Sequence, residues 1–172
     1  QIPWIESYAA VVRGSMAFSE NLLFTNEAFD LYWSNIEEDG LLVIHRYMTS
    51  ATPPTHMLRL IGMLAETVDA ETRDALDDHI LIASDPVGDP AYAVFAASKA
   101  PLTEEQVDAF VTATLERGFR VDYAPGYDSH PTLTEALASD AEREAVFARL
   151  RHDVYPTTDD RPYFFRFVRP FQ

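Results

Sequence analysis

Two short stretches of the sequence hold polar side chains of the kinds that bind substrates or move protons. Ser19, Glu20 and Asn21 form a compact polar cluster just ahead of a predicted helix. They could line a substrate pocket, or they could cap the helix and hold a long loop, since short polar side chains readily bond loop backbone. His45 follows a run of apolar residues, where an imidazole could act as an acid or base. The alternative for His45 is a hydrogen-bonded structural role.

The other histidines do not form a metal-binding pattern. His56, His79, His130 and His152 belong to four separate predicted elements and lack a spacing such as His-x-x-x-His. The chain has no cysteine, which excludes thiolate ligands and disulfide bonds. We therefore expect no metal site.

A third group, formed by Asp159, Asp160 and Arg161, combines two carboxylates with a guanidinium. We favour a structural interpretation over a catalytic trio, because an Asp-Asp-Arg-Pro turn that leads into aromatic residues is suited to pinning a tail onto a domain. Arginine binds carboxylates in bidentate fashion, and burial of each aromatic ring contributes roughly 2 kcal/mol or more. On this interpretation, replacement of Arg161 lowers the melting temperature.

A predicted series of strand, loop, helix and strand would bring the first two groups to one edge of a sheet. The helix is predicted from apolar residues at helical spacing: Phe29, Tyr32, Trp33 and Ile36. The apolar run 41–44 is typical of a strand buried on both faces of a parallel sheet. Ligands of doubly wound sheets bind at the carboxyl ends of the strands, so the loop 3–24 would lie at the ligand edge. Its aromatic residues could wall an apolar pocket or join the core: Trp4, Tyr8, Phe18 and Phe24.

The middle of the chain predicts a helix followed by two strands. The helix carries an apolar stripe at Met57, Ile61, Leu64 and Val68. Apolar strands are predicted at 79–83 and 91–97, and the turn SDPVGDP between them is too short for a parallel crossover. We therefore predict an α/β fold with a doubly wound, Rossmann-like sheet, in which parallel strands end in an antiparallel edge hairpin.

From residue 101 onward, the sequence predicts a long helix, a strand, two short helices and a tail. The clearest helix spans 101–118 and starts with a capping box from Thr103 and Gln106. A strand at 119–123 and two short helices follow, the first starting near Thr132 with Glu135 as its capping partner. The chain ends in an aromatic tail. We see one domain, 1–172, without internal repeats.

The charge balance excludes several classes of partner. The formal net charge is −15, and Lys99 is the only lysine. This argues against nucleic acid and against an anionic membrane surface. No apolar run approaches the roughly 18 residues of a membrane-spanning helix. Because the chain starts with Gln1 on what reads as the end of a strand, we expect it to be a piece of a longer protein.

Several stretches, in order along the chain, resemble one known family. They read IESYAA, SENLLFTNEAF, DGLLVIHRY, AYAVFAASK and TDDRPYFF. Together they resemble the second half of the spermidine-synthase-like domain, which has the class I S-adenosylmethionine-dependent methyltransferase fold. In many large bacterial proteins this domain is fused behind several membrane spans. Phe24 and Tyr47 replace the tyrosine and tryptophan that are usual in the family.

The resemblance implies a catalytic role for Glu6, with Ser7 and Tyr8 beside it. In aminopropyl transfer, a carboxylate at this position accepts a proton from the attacking amine and attracts a cationic polyamine. Spermidine synthases carry two carboxylates in this string, whereas IESY has one. Aminopropyl transfer and methyl transfer therefore both remain open.

The resemblance also implies where the cofactor would be held. None of the six glycines forms a Gly-x-Gly-x-x-Gly turn. In the family, this turn and the acid that holds the ribose both lie upstream of the part that this chain resembles. We therefore expect no cofactor-binding residues in this chain. We expect the intact parent protein to bind S-adenosylmethionine or its decarboxylated form.

The implied partners are a small-molecule amine or other acceptor and the upstream half of the same domain. A homodimer formed through an exposed strand edge is a further option. The family context implies a cytoplasmic domain, in some members part of a bacterial inner-membrane protein. The rival expectation is a non-catalytic, degenerate module that serves in regulation or assembly.

Overall fold

The computed structural model describes residue 2 and residues 20–48, 53–127 and 130–169. These residues form a mixed α/β fold with one four-stranded sheet and six α-helices. In chain order the elements are α1 (Asn26–Ser34), β1 (Leu41–Met48), α2 (Thr55–Thr67), α3 (Ala70–Asp74), a 3-10 turn (Leu76–Asp78), β2 (Ile80–Ser84), β3 (Ala91–Ser98), α4 (Glu104–Glu116), β4 (Arg120–Tyr123), α5 (Pro131–Ala138) and α6 (Asp140–Arg149). No helix in the described residues has both the length and the hydrophobicity needed to cross a membrane.

The sheet has the strand order β1-β3-β2-β4, and each neighbouring pair is antiparallel. The prediction of paired parallel strands is therefore wrong for the described sheet. β1 and β2 do run in the same direction, but β3 returns between them and separates them. The short loop 85–90 allows only an antiparallel return, so the predicted hairpin of β2 and β3 is confirmed. Its predicted place at the edge is wrong, because β4 pairs with the outer side of β2.

One parallel contact lies outside the four strands. Ile2 forms a parallel bridge with Ile44. The Ile2 amide donates to the Val43 carbonyl at 2.8 Å, and the Ile2 carbonyl accepts from the His45 amide at 3.3 Å. Backbone groups of alternate residues in a strand point to opposite sides, so Ile2 occupies the edge of β1 that faces away from β3. A further strand could be added at this edge.

Helices α2 and α4 cover opposite faces of the sheet. The α2 face holds the larger core, to which the predicted stripe contributes Met57, Ile61, Leu64 and Val68, all buried as predicted. On the α4 face, Val107 packs with residues of three strands: Leu81, Ala96 and Val121. Leu115 of the same helix is 49% exposed. It lies about 80° around the helix from Val107, at the margin of the apolar stripe.

Helix starts follow local capping rules at most positions. Thr25 caps α1 by accepting a hydrogen bond from the Ala28 amide, and Thr103 forms the predicted capping box at the start of α4. Helix α5 begins at Pro131, next to the predicted start near Thr132, but the predicted capping by Glu135 is wrong because the helix has no side-chain cap. Proline suits the first helical position, where its missing N–H leaves no hydrogen bond unmade. Glu135 instead pairs with Arg149 of α6.

Candidate functional site

An open groove of about 470 Å³ lies between α4 and the sheet, beside the carboxyl end of β2 and the amino end of β3. On the sheet side it is lined by His45 of β1 and by Tyr92 and Val94 of β3. On the helix side it is lined by Phe110 and Arg117 of α4. Because β3 runs antiparallel to β1 and β2, strand ends of both directions meet at the groove. The expected ligand site at the carboxyl ends of parallel strands therefore stays a prediction.

The groove exists because small side chains face each other at the end of α4. Ala83 of β2 and Ala113 of α4 both line it and leave space between the helix and the sheet. The mouth is marked by an aromatic pair, Tyr47 and Tyr92, which are paired in register and whose ring centroids lie 5.0 Å apart. Tyr92 is 51% exposed. Aromatic and aliphatic walls of this kind suit an apolar or amphipathic small molecule.

The polar groups around the groove are engaged mainly in holding the protein's own structure. Ser84 is buried and accepts a hydrogen bond from Arg120 Nη2 at 2.8 Å. Arg120 Nε pairs with Asp122 Oδ1 at 2.8 Å. Arg117 Nη1 donates to the carbonyl of Ala113 in its own helix. Within the described residues, no group of three or more His, Cys, Asp and Glu side chains is placed to hold a metal ion.

Four predicted site residues lie outside the described residues: Glu6, Ser7, Tyr8 and Ser19. Glu20 and Asn21 are described, and their contacts are with the C-terminal tail and the adjacent loop. The Tyr163 hydroxyl donates to Glu20 Oε1 at 3.5 Å, and the Asn21 amide donates to the Pro162 carbonyl at 2.7 Å. Asn21 Oδ1 also accepts from the amide of Leu23. These are the contacts expected if the polar cluster ties down a loop.

Phe24 and His45 lie on opposite faces of β1. Phe24 is fully buried, and the guanidinium carbon of Arg46 lies 3.6 Å from its ring centroid. The ring of Phe164 lies 4.8 Å from the same ring. Successive side chains of a strand point to opposite faces, so His45 faces the groove while Arg46 faces this aromatic cluster. The structure therefore does not bring Phe24 and His45 into one pocket.

His56 of α2 is half-buried against the same aromatic cluster, although the sequence did not single it out. Its ring lies 5.0 Å from that of Phe167 and 5.7 Å from that of Phe165. Burial, with a smaller contribution from the charge of Arg46, lowers the pKa of His56 to about 3. The imidazole is therefore neutral near pH 7 and its Nδ1–H donates to the Tyr47 carbonyl, 3.0 Å away.

The tail is held by Arg59 of α2, and not by Arg161 as the sequence predicted. Arg161 is exposed, and its side chain makes no hydrogen bond or ion pair with the described residues. Arg59 is 1% exposed, and burial lowers its pKa to about 10. Its N–H groups donate to five backbone carbonyls, those of Asp153, Tyr155, Tyr163, Phe164 and Arg166. An arginine within an apolar helix was the available signal, since a buried charge requires polar partners.

Comparisons of the chain with protein-family models, with curated proteins and with solved structures found no match. The residues and their geometry are therefore the basis for a functional assignment.

Proposed function

We propose that this chain is the C-terminal half of a spermidine-synthase-like, S-adenosylmethionine-dependent transferase domain. The strand arrangement is the observation that carries the proposal. β1 and β2 run in the same direction, and Ile2 adds to the outer edge of β1 in the parallel sense. The upstream half of a Rossmann-like domain would add parallel strands at this edge. The ordered sequence motifs support the same assignment.

On this proposal, the intact protein transfers an aminopropyl or methyl group to a small acceptor. The described residues contain no Gly-x-Gly-x-x-Gly turn, so they do not form a cradle for the cofactor. S-adenosylmethionine or its decarboxylated form would be held by upstream residues and would supply the transferred group. The part of this chain is to bind the acceptor and to take up its proton, for which the Glu6 carboxylate is the candidate base.

The groove beside α4 is the proposed binding site for the acceptor. Its apolar walls would hold the methylene segments of an amine, and His45 would face the polar part of the acceptor at the open end. The formal net charge of −15 would attract a cationic amine over long distances. A neutral or anionic acceptor would gain nothing from this field.

A non-catalytic module is the second candidate function, and the contacts of Glu20 and Asn21 favour it. Both residues are engaged by the tail rather than placed at the groove. On this alternative, the domain is a regulatory or assembly part of a bacterial inner-membrane protein, on its cytoplasmic side. Its partner would be the upstream half of the domain, or a second copy bound at the outer edge of β1.

Calorimetric titration of the protein, with the residues upstream of Gln1 included, tests the transferase proposal. The titrants are S-adenosylmethionine and its decarboxylated form. We expect binding in the micromolar range, with the tighter ligand identifying the group that is transferred. A folded protein that binds neither compound would refute the transferase and leave the non-catalytic module.

A matched pair of variants tests the acceptor site. Ala113→Phe places a ring into the groove, whereas Ala109→Phe makes the same change at an exposed position of the same helix. We expect Ala113→Phe to raise the KM for the acceptor at least about tenfold, because an occupied pocket excludes the ligand. Ala109→Phe should leave KM unchanged. Equal kinetics of the two variants would place the acceptor elsewhere.

A further inference from the structure

A second pocket, of about 150 Å³, lies where the tail folds over α2. Three arginines line it, Arg59 from α2 and Arg161 and Arg166 from the tail, together with Thr158. The volume corresponds to about five water molecules of the bulk liquid. This is room for a small oxyanion or for the phosphoryl group of a larger molecule.

The pocket is positively charged, although the protein is strongly acidic. The chain has 28 acidic against 13 basic residues. The charged residues that line the pocket are the three arginines and Asp153, so their formal charges sum to about +2. Asp159, which lies close in sequence, is engaged elsewhere by the Thr25 hydroxyl at 2.7 Å.

The two arginines of the tail have no counterion in the part of the chain that the structure describes. The side chains of Arg161 and Arg166 are both exposed and form neither a hydrogen bond nor an ion pair with described residues. Carboxylates outnumber basic groups about two to one, so partners for surface arginines are abundant in this chain. Two such arginines at one small pocket are therefore available to bind an anion from solution.

Arg59 adds a buried charge that is only partly compensated. The N–H groups of Arg59 donate to backbone carbonyls. Arg59 also forms an ion pair with Asp153, in which Arg59 Nη2 lies 3.9 Å from Asp153 Oδ1. That same oxygen also accepts from the Tyr155 amide. A buried charge with incomplete compensation is unfavourable. A bound anion at the pocket would supply the missing negative charge.

We propose that this pocket binds a doubly charged oxyanion of the phosphate class. The guanidinium groups of Arg161 and Arg166 bind its oxygens, since guanidinium matches the geometry of phosphate. Arg59 contributes through its charge, because its N–H groups are already occupied. This site does not depend on the proposed transferase activity.

Titration of the full chain with inorganic phosphate tests the site, at constant ionic strength maintained with sodium chloride. We expect saturable binding of phosphate and sulfate in the millimolar range or tighter, and acetate binding at least about tenfold weaker. Titration with phenyl phosphate distinguishes the free ion from a larger phosphorylated ligand. If phenyl phosphate binds more tightly than phosphate, the natural ligand is a larger phosphorylated molecule. If it binds equally or more weakly, the natural ligand is the free ion. Absence of saturable phosphate binding, or acetate binding as tight as phosphate, would overturn the proposal.

Three single variants locate the bound ion. Arg161→Gln and Arg166→Gln should each weaken phosphate binding at least about tenfold, because each removes a charged hydrogen-bonding group. Arg151→Gln removes the same charge from an exposed arginine that does not line the pocket, and it should leave binding unchanged. The melting temperatures of all three variants should match the wild type, so that loss of binding does not reflect unfolding. Equal weakening by all three would show a non-specific charge effect and refute the site.

Discussion

Replacing Arg59 by methionine should release the tail from α2. Methionine keeps an unbranched apolar side chain in the helix but removes every N–H donor. The tail carbonyls that Arg59 binds, on residues 153–166, would lose their partner. An unpaired buried carbonyl is unfavourable by about 1–3 kcal/mol. The change therefore acts on one buried and four partly buried hydrogen bonds at once.

The net effect is smaller than the sum of these contributions. Burial of the guanidinium already opposes folding, as the lowered pKa of Arg59 indicates, and hydrogen bonds in one network are not additive. Removal of one member of a buried charged network typically destabilises a protein by about 3–5 kcal/mol. A domain of this size loses about 2–4 °C of melting temperature per kcal/mol, which gives a decrease of about 6–20 °C.

Thermal unfolding followed by circular dichroism measures this decrease. Arg161→Met is the matched control, because its side chain is exposed and bonds no described residue. A surface substitution of this kind should change the free energy of unfolding by no more than about 0.5 kcal/mol. If Arg59→Met lowered the melting temperature no more than Arg161→Met, the tail would be held by other contacts and this account of Arg59 would be refuted.

Three further changes test separate features of the fold. The pKa of His56 is about 3 in the folded protein and about 6.5 in the unfolded chain. Between these two pH values the unfolded chain binds more protons, so the free energy of unfolding falls as the pH drops from about 6.5 toward 3. Between pH 7 and pH 5, urea unfolding should show that the wild type loses about 2 kcal/mol more than His56→Asn, and equal losses would contradict this. Thr25→Ala should destabilise the protein by about 1–2 kcal/mol through loss of the α1 cap. A double-mutant cycle with Asp159→Ala should give a coupling free energy above about 0.5 kcal/mol, because the Thr25 hydroxyl donates to Asp159. A coupling near zero would show that this hydrogen bond does not stabilise the fold. Gly62→Ala should lower the melting temperature, despite the better helix propensity of alanine, because its Cβ would lie 3.0 Å from the Phe147 ring; a higher melting temperature would show that the ring moves at little cost.

The placement of the candidate site was only partly predictable. His45 was expected at the carboxyl end of a strand, but β1 extends to Met48, so His45 lines the groove from the middle of the strand. The opposite wall of the groove comes from α4, more than sixty residues further along the chain, and no local pattern indicates that contact. Phe24 was expected beside the same pocket, but the alternation of side chains along β1 assigns it to the other face.

The sequence by itself determined the elements whose cause is local. The capping box of α4, the buried stripe of α2 and the tight return from β2 to β3 depend on residues within a few positions of each other. Spacing and turn chemistry therefore predict them. The residue types also determined the acidic net charge.

Only the tertiary structure decided the strand order and the way the tail is held. The short loop makes β3 antiparallel to β2, but it leaves open on which side of β2 the strand β3 pairs. In the fold β3 pairs on the side toward β1, so it lies between β1 and β2. The apolar helix around Arg59 indicated a buried charge, but only the fold placed the carbonyls of 153–166 around it as partners. Both outcomes depend on contacts between distant parts of the chain, where burial of the whole core outweighs local preference.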